Sequence, residues 1–194
     1  MPAAGGGIDM SAGLNLLKAG CLALVFCCIF YLIWWSFAFH PTKKYPMRPK
    51  VILFLCTLAA GIVGVVCTLQ GILNLPAERP GLSAMLIVII GVIAYFVLLY
   101  VTNRFLHRQV TTELLLITGW TVMELCVMNG LYRAAVLDAP SALLWSGIIL
   151  FTAASALLCY LAYYRLPPEQ AFRDGMIPLL SVGFLMAMIW LMLL

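Results

Sequence analysis

The 194-residue chain is 65% hydrophobic and 9% charged, with a net charge of +4 and a mean hydropathy of +1.10. Soluble domains run at about 45–50% apolar and about 25% charged, and one of about 150–200 residues still leaves roughly 30% of its chain's surface exposed, so a water-soluble fold is excluded. A basic excess this small on a chain with so little polar surface also excludes a nucleic-acid binder, and the solvent is a bilayer.

Residues 1–13, "MPAAGGGIDMSAG", are glycine-rich and are expected to form a flexible leader. Crossing a hydrocarbon core of about 30 Å as helix takes about 20 apolar residues. Residues 14–194 supply that length six times, at 14–39, 51–75, 82–101, 112–131, 142–164 and 176–194. The first span is expected to persist as a helix, because no basic stretch precedes it and its apolar run exceeds the roughly 7–15 residues of a signal-peptide core. The breaks carry turn chemistry: "HPTKKYPMRPK" has three prolines, "PAERPG" is short, "TNRFLHRQVT" is polar, "YRAAVLDAPS" ends on a proline turn and "RLPPEQAFRDG" joins a double proline to a glycine. Loops this short leave no room for a soluble domain. The predicted fold is an all-α polytopic membrane protein, a single six-transmembrane-helix bundle.

Lys and Arg in short loops set orientation. Eight of the eleven follow spans one, three and five (Lys43, Lys44, Arg48, Lys50, Arg104, Arg108, Arg165 and Arg173), and three lie on the other side (Lys18, Arg79 and Arg133). The odd-numbered loops are therefore expected in the cytoplasm and both termini outside, in a plasma or inner membrane. Lys43, Lys44, Arg48 and Lys50 are expected to touch anionic lipid headgroups at about 1 kcal/mol per basic residue.

The chain also shows a weak internal period. Tyr31, Tyr95 and Tyr160 are spaced 64 and 65 residues apart, and Gln70-Gly71 and Asn129-Gly130 each precede a turn, a pattern compatible with three helical hairpins in one orientation. Interfacial aromatic belts alone produce a similar pattern. The seven cysteines form no C-x-x-C pair and all fall in apolar runs, which makes them small buried hydrophobes. No metal site or cofactor is expected. His40 and His107, the only histidines, lie at helix ends, where haem ligation from two helices is poorly served.

The functional candidate is "GWTVMELCVMNGLYR", which puts Glu124 inside the fourth span, about 10 Å from its outer end. A charged group near the bilayer centre costs roughly 2.5–3.5 kcal/mol even on the lenient insertion scale, so the side chain must face protein or water. Glu113, Trp120 and Glu124 lie within about 40° of one another on the helix, giving the span an acidic and aromatic face directed into the bundle. Thr121 is a nearby companion, and Lys18 of span one lies about 6 Å from the same outer surface and can pair with Glu124 or snorkel outward. The candidate ligand-binding set is Glu124, Trp120, Thr121, Glu113 and Lys18. Other polar residues, among them Gln70, Asn74, Asn129, Thr152 and Ser155, read as glue between helices, and Ala60 to Gly64 as a close-approach stripe on span two.

Three functions follow. The leading one is a transporter or channel-like protein that moves a small solute or cation with proton linkage through Glu124, alone or as a homo-oligomer. The second is an accessory or anchor subunit of a membrane complex, in which the glutamate pairs with a partner helix. The third is a lipid-headgroup enzyme using His40, His107, Arg104, Arg108 and Glu113 at the cytoplasmic face, which lacks a nucleophile. No H-E-x-x-H or G-x-S-x-G motif is present.

Overall fold

The computed structural model describes residues 10–106 and 112–194. In hydrocarbon no solvent can hydrogen-bond the backbone, so each span must satisfy its own amides, and each does so as helix: α1 Met10–Ala38, α2 Met47–Leu73, α3 Ala84–Leu106, α4 Thr112–Arg133, α5 Ala139–Tyr163 and α7 Ile177–Leu193, with a short α6, Pro168–Asp174. Among the described residues there is no strand, and six helices are long and apolar enough to span a membrane. The protein is an integral, multi-pass helical membrane bundle.

The six expected spans all appear, with ends displaced by up to five residues, α2 starting at Met47 and α3 running to Leu106. Residues 10–13 are the first turn of α1 rather than leader, while residues 1–9 lie outside the described residues. Within the expected last loop, α6 forms because Pro168 occupies the first helical turn, where a missing N–H is harmless, with Glu169 in the first turn and Arg173 in the last to match the helix dipole. Between α4 and α5 the chain turns on a Schellman motif: Val136 N–H donates to Leu131 O and Ala135 N–H to Tyr132 O, and Ala135 takes a left-handed φ of 55°.

Without a hydrophobic drive between helices in lipid, small residues decide which helices approach. α1 and α2 form the tightest pair, through Gly61, Gly64, Thr68 and Gly71 of α2 and Gly20 of α1. A Cβ on Gly20 would come within 2.5 Å of the Thr68 backbone nitrogen, and one on Gly71 within 2.7 Å of the Leu17 nitrogen. The stripe expected at Ala60 to Gly64 thus packs on α1. On its other side α1 holds α7, where Gly183 lies against Cys28 and the Cys28 thiol donates to Leu179 O at 3.4 Å.

α4 runs through the middle of the molecule, touching α2, α3, α5 and α7. Its membrane-crossing stretch has the lowest mean hydropathy of the six and is 61% buried, against 17% for each of α2, α3 and α5. Gly91 of α3 seats on Val122, and Gly130 of α4 takes Ile72 of α2. α3 leans on α4 and scarcely meets α2. The three hairpins are therefore not in equivalent surroundings. Tyr31 and Tyr160 are buried, whereas Tyr95 is half-exposed beside a cleft.

At the Gly20 crossing, the Gly20→Val variant is expected to overpack the α1–α2 contact and lose about 1–3 kcal/mol or more of stability. Gly147→Ala, at a position where an added Cβ meets nothing within 4 Å, is expected to be neutral. Thermal denaturation of the two purified variants in detergent, followed by size-exclusion chromatography, measures the contrast.

Candidate functional site

At 100° per residue, α4 turns one face inward, carrying Glu113, Ile117, Trp120, Glu124, Val127 and Leu131 within an arc of about 80°, and all six are buried. The sequence-predicted acidic and aromatic face is this one. Its two carboxyls nevertheless have different environments.

Glu113 lies near the end of the bundle that carries the 40–50 and 164–176 segments. It is 1% exposed and accepts a short hydrogen bond from the Tyr163 hydroxyl of α5. Around it, Tyr31 of α1 and Thr112 of α4 share a hydrogen bond of 2.8 Å, and the Trp35 indole donates to Phe172 O of α6 at 3.2 Å. Trp35 and Tyr163 meet edge to face at 6.4 Å between ring centroids. These contacts tie α1, α4, α5 and α6 together at that end. His40 belongs to the same surroundings, its Nδ1 accepting from Thr42 N–H and Lys43 N–H and its ring tilted against Phe172. It caps the loop after α1; His107 and Arg108 lie outside the described residues.

Glu124 is different. It is 0% exposed, and among the described residues neither carboxyl oxygen has a hydrogen-bond partner. One turn away the Trp120 indole N–H is also buried without an acceptor, and on α2 the Thr68 hydroxyl, at 0% exposure, is likewise unpartnered. Thr68 lies close in height to Glu124, because Gly130 seats on Ile72 and four residues back along each parallel helix pairs Cys126 with Thr68, about 3 Å along the axis from Glu124. Cys21 and Cys28 of α1 stand within electrostatic reach of the carboxyl. Three buried polar groups from two helices thus lack a hydrogen-bond partner among the described residues, spread over about 9 Å along the bundle axis. Each such group costs about 1–3 kcal/mol, more if charged, so the cluster calls for an explanation other than packing.

The remaining predicted residues are placed elsewhere. Lys18 is half-buried on α1, and no hydrogen bond joins it to either Glu124 oxygen; an ion pair does form between Arg173 and Asp174, at 3.2 Å. The physical reason is register: Leu17 and Cys21 occupy the inward face of α1, which turns Lys18 aside. Thr121 donates to Ile117 O at 2.8 Å and borders a cleft of about 440 Å³ between α3 and α5, together with Thr118 and Asn129. Asn129 donates its amide to Leu82 O at 2.7 Å, the structural role expected of it. Sequence reasoning missed Thr68 and Tyr163. Thr68 was legible as the third member of the small-residue series Gly61, Gly64, Thr68, Gly71, whereas nothing in the spacing marked Tyr163 as the donor to Glu113.

Among the described residues no group of three or more His, Cys, Asp or Glu side chains is arranged to hold a metal ion. No protein family, curated protein or solved structure matches the chain, and the functional reading rests on the site's geometry.

Glu124→Leu separates an unpaired carboxyl from a hidden ion pair. Replacing an orphaned polar group by an apolar side chain of similar size is expected to raise stability by about 1–3 kcal/mol, measured as the midpoint of thermal unfolding in detergent. A loss of about 3–5 kcal/mol, the signature of breaking a buried pair, would return Glu124 to a structural role with Lys18.

Proposed function

We propose that this protein is a transporter or channel-like protein that moves a small solute or cation across the membrane with proton linkage, and that Glu124 is the coupling carboxyl. The observation that carries the reading is the fully buried carboxyl with both oxygens unpartnered at mid-bundle. A carboxylate with neither donor nor counter-ion is unstable in a dry interior; a proton, a cation or a hydrogen-bond donor relieves it. A group held in that condition binds whatever positive species reaches it and releases it when water does. Trp120 and Thr68 add a π face, an indole N–H and a hydroxyl to the same layer.

In this reading the arrangement is a closed state. Toward one end the layer is covered by Leu17, Met128 and Leu131, all 1% exposed or less. Toward the other it is covered by the Tyr31, Trp35, Glu113 and Tyr163 cluster. Alternating opening of these two plugs is the motion the reading requires, and Glu113 then acts as part of the plug rather than as a ligand. Thr121 and Lys18 are second-rank members of the binding set, reached only if α4 or α1 rotates.

The basic loops face the cytoplasm in this reading, with Lys43, Lys44, Arg48 and Lys50, all exposed or half-exposed, on anionic headgroups. An anchor role in which Glu124 pairs with another chain's helix gains nothing from the geometry, because no surface of Glu124 is exposed to receive it. The lipid-headgroup enzyme loses its carboxyl to Tyr163.

Reconstituted into liposomes loaded with a pH-sensitive dye, the protein is expected to carry protons down an imposed gradient. Glu124→Gln, recovered at normal yield, is expected to reduce that flux to the level of empty liposomes. Flux retained in Glu124→Gln would overturn the proposal.

A further inference from the structure

Between α2 and α3 the bundle opens sideways. A cleft of about 320 Å³ lies there with α4 as its floor, and its walls are apolar apart from Thr118, whose hydroxyl is engaged with Leu114 O at 2.6 Å, and the half-buried Tyr95. It exists because α3 leans on α4 at Gly91 while scarcely touching α2, and because Gly61 and Gly119 contribute no side chain to its wall. Around α4, Gly119 faces the centre of the cleft, Trp120 stands about 100° further round at its inner edge, and Glu124 lies about 40° beyond Trp120. Trp120, with Met123, thus lines the edge of the cleft on the side of α4 that carries the carboxyl. It borders the cleft, yet its indole nitrogen is buried and unpartnered. The second cleft, between α3 and α5, has no such relation to Glu124, since Trp120 does not border it.

We infer that the ligand of the Glu124 site is a lipophilic monocation of the alkylammonium class, which reaches the site from within the bilayer through the α2–α3 cleft, with Trp120 as the gate. The inference rests on the reading of Glu124 as an ion-binding carboxyl. A bare or hydrated metal ion does not travel through an apolar cleft, because nothing there replaces its water. An ammonium that carries alkyl chains enters the bilayer with those chains among the acyl chains, holds its hydration water far more weakly than a metal ion does, fits apolar walls, and finds at the inner edge the two features that recognise it. These are the face of a tryptophan, which attracts organic cations, and an unpaired carboxyl one helical turn behind it.

The test uses the full chain in liposomes and dicyclohexylcarbodiimide, a bilayer-soluble reagent that converts a carboxyl to an N-acylurea, with modification at Glu124 quantified by mass spectrometry. Wild type is expected to be labelled at Glu124. Gly119→Leu, whose side chain projects into the cleft without touching Glu124, is expected to slow labelling roughly ten-fold, while Gly147→Leu on the open face of α5 leaves it unchanged. Octyltrimethylammonium is expected to protect wild-type Glu124, and tetramethylammonium or sodium at equal concentration is not. No labelling of wild type, equal labelling of folded Gly119→Leu, or no protection by octyltrimethylammonium would each overturn the inference. The failure is separable from that of the transport reading: if Glu124→Gln still abolishes proton flux in the same liposomes, the carboxyl carries ions and only the lateral route and ligand class are wrong.

Discussion

Hydrocarbon offers no hydrogen bonds, and the fold is organised by that fact. A helix with polar side chains has to hide them against other helices, while a helix of Leu, Ile and Val gains nothing by being inside. α4, the least apolar of the six, is accordingly the most enclosed, and α2, α3 and α5 form much of the lipid-facing wall. This is the reverse of a soluble protein, in which the most apolar helix is the central one. Several hydroxyls on the spans satisfy themselves locally, as Thr57, Thr102, Thr118 and Thr121 do by bonding the carbonyl four residues back. Against that background Glu124, Trp120 and Thr68 stand out as groups for which burial was achieved without satisfaction.

The small-residue seam between α1 and α2 closes one flank of the layer around Glu124. Gly20 against Thr68, Leu24 against Gly64 and Leu17 against Gly71 bring the two backbones so close that not even a Cβ fits between them, and α7 packs on the other side of α1 through Gly183 and Cys28. Tight packing on that flank contrasts with the open α2–α3 flank, where α3 rests on one glycine. The bundle is thus stiff on one side of Glu124 and loosely built on the other. Such asymmetry gives a site a fixed wall and a movable one, and local opening is drawn from the less densely packed element.

Much of this architecture was legible in the sequence. The six spans follow from run length alone, because 20 apolar residues have one stable use in a bilayer, and the inward face of α4 follows from the cost of a carboxyl in oil together with helical angle. The register of α1 was not legible. Lys18 is at a plausible depth, but only the packing of Leu17 and Cys21 decides that it turns away from Glu124. Nor was the split of the predicted set: Glu113 and Glu124 share a face, yet one meets Tyr163 from α5, a contact between residues fifty positions apart that no periodicity encodes. The helix α6 was hidden by its own prolines, which read as loop and act here as a helix start.

The central claim is that the Glu124 carboxyl is enclosed by protein and unpaired, and solid-state magnetic resonance on the glutamate-labelled protein in bilayers addresses it directly. With the Glu124 signal assigned by its loss in Glu124→Gln, the account predicts early magnetisation transfer from protein protons, including those of Trp120 and the α1 cysteines, and none from lipid acyl chains. Early transfer from acyl-chain protons, or a resolved contact with the Lys18 ammonium, would contradict it.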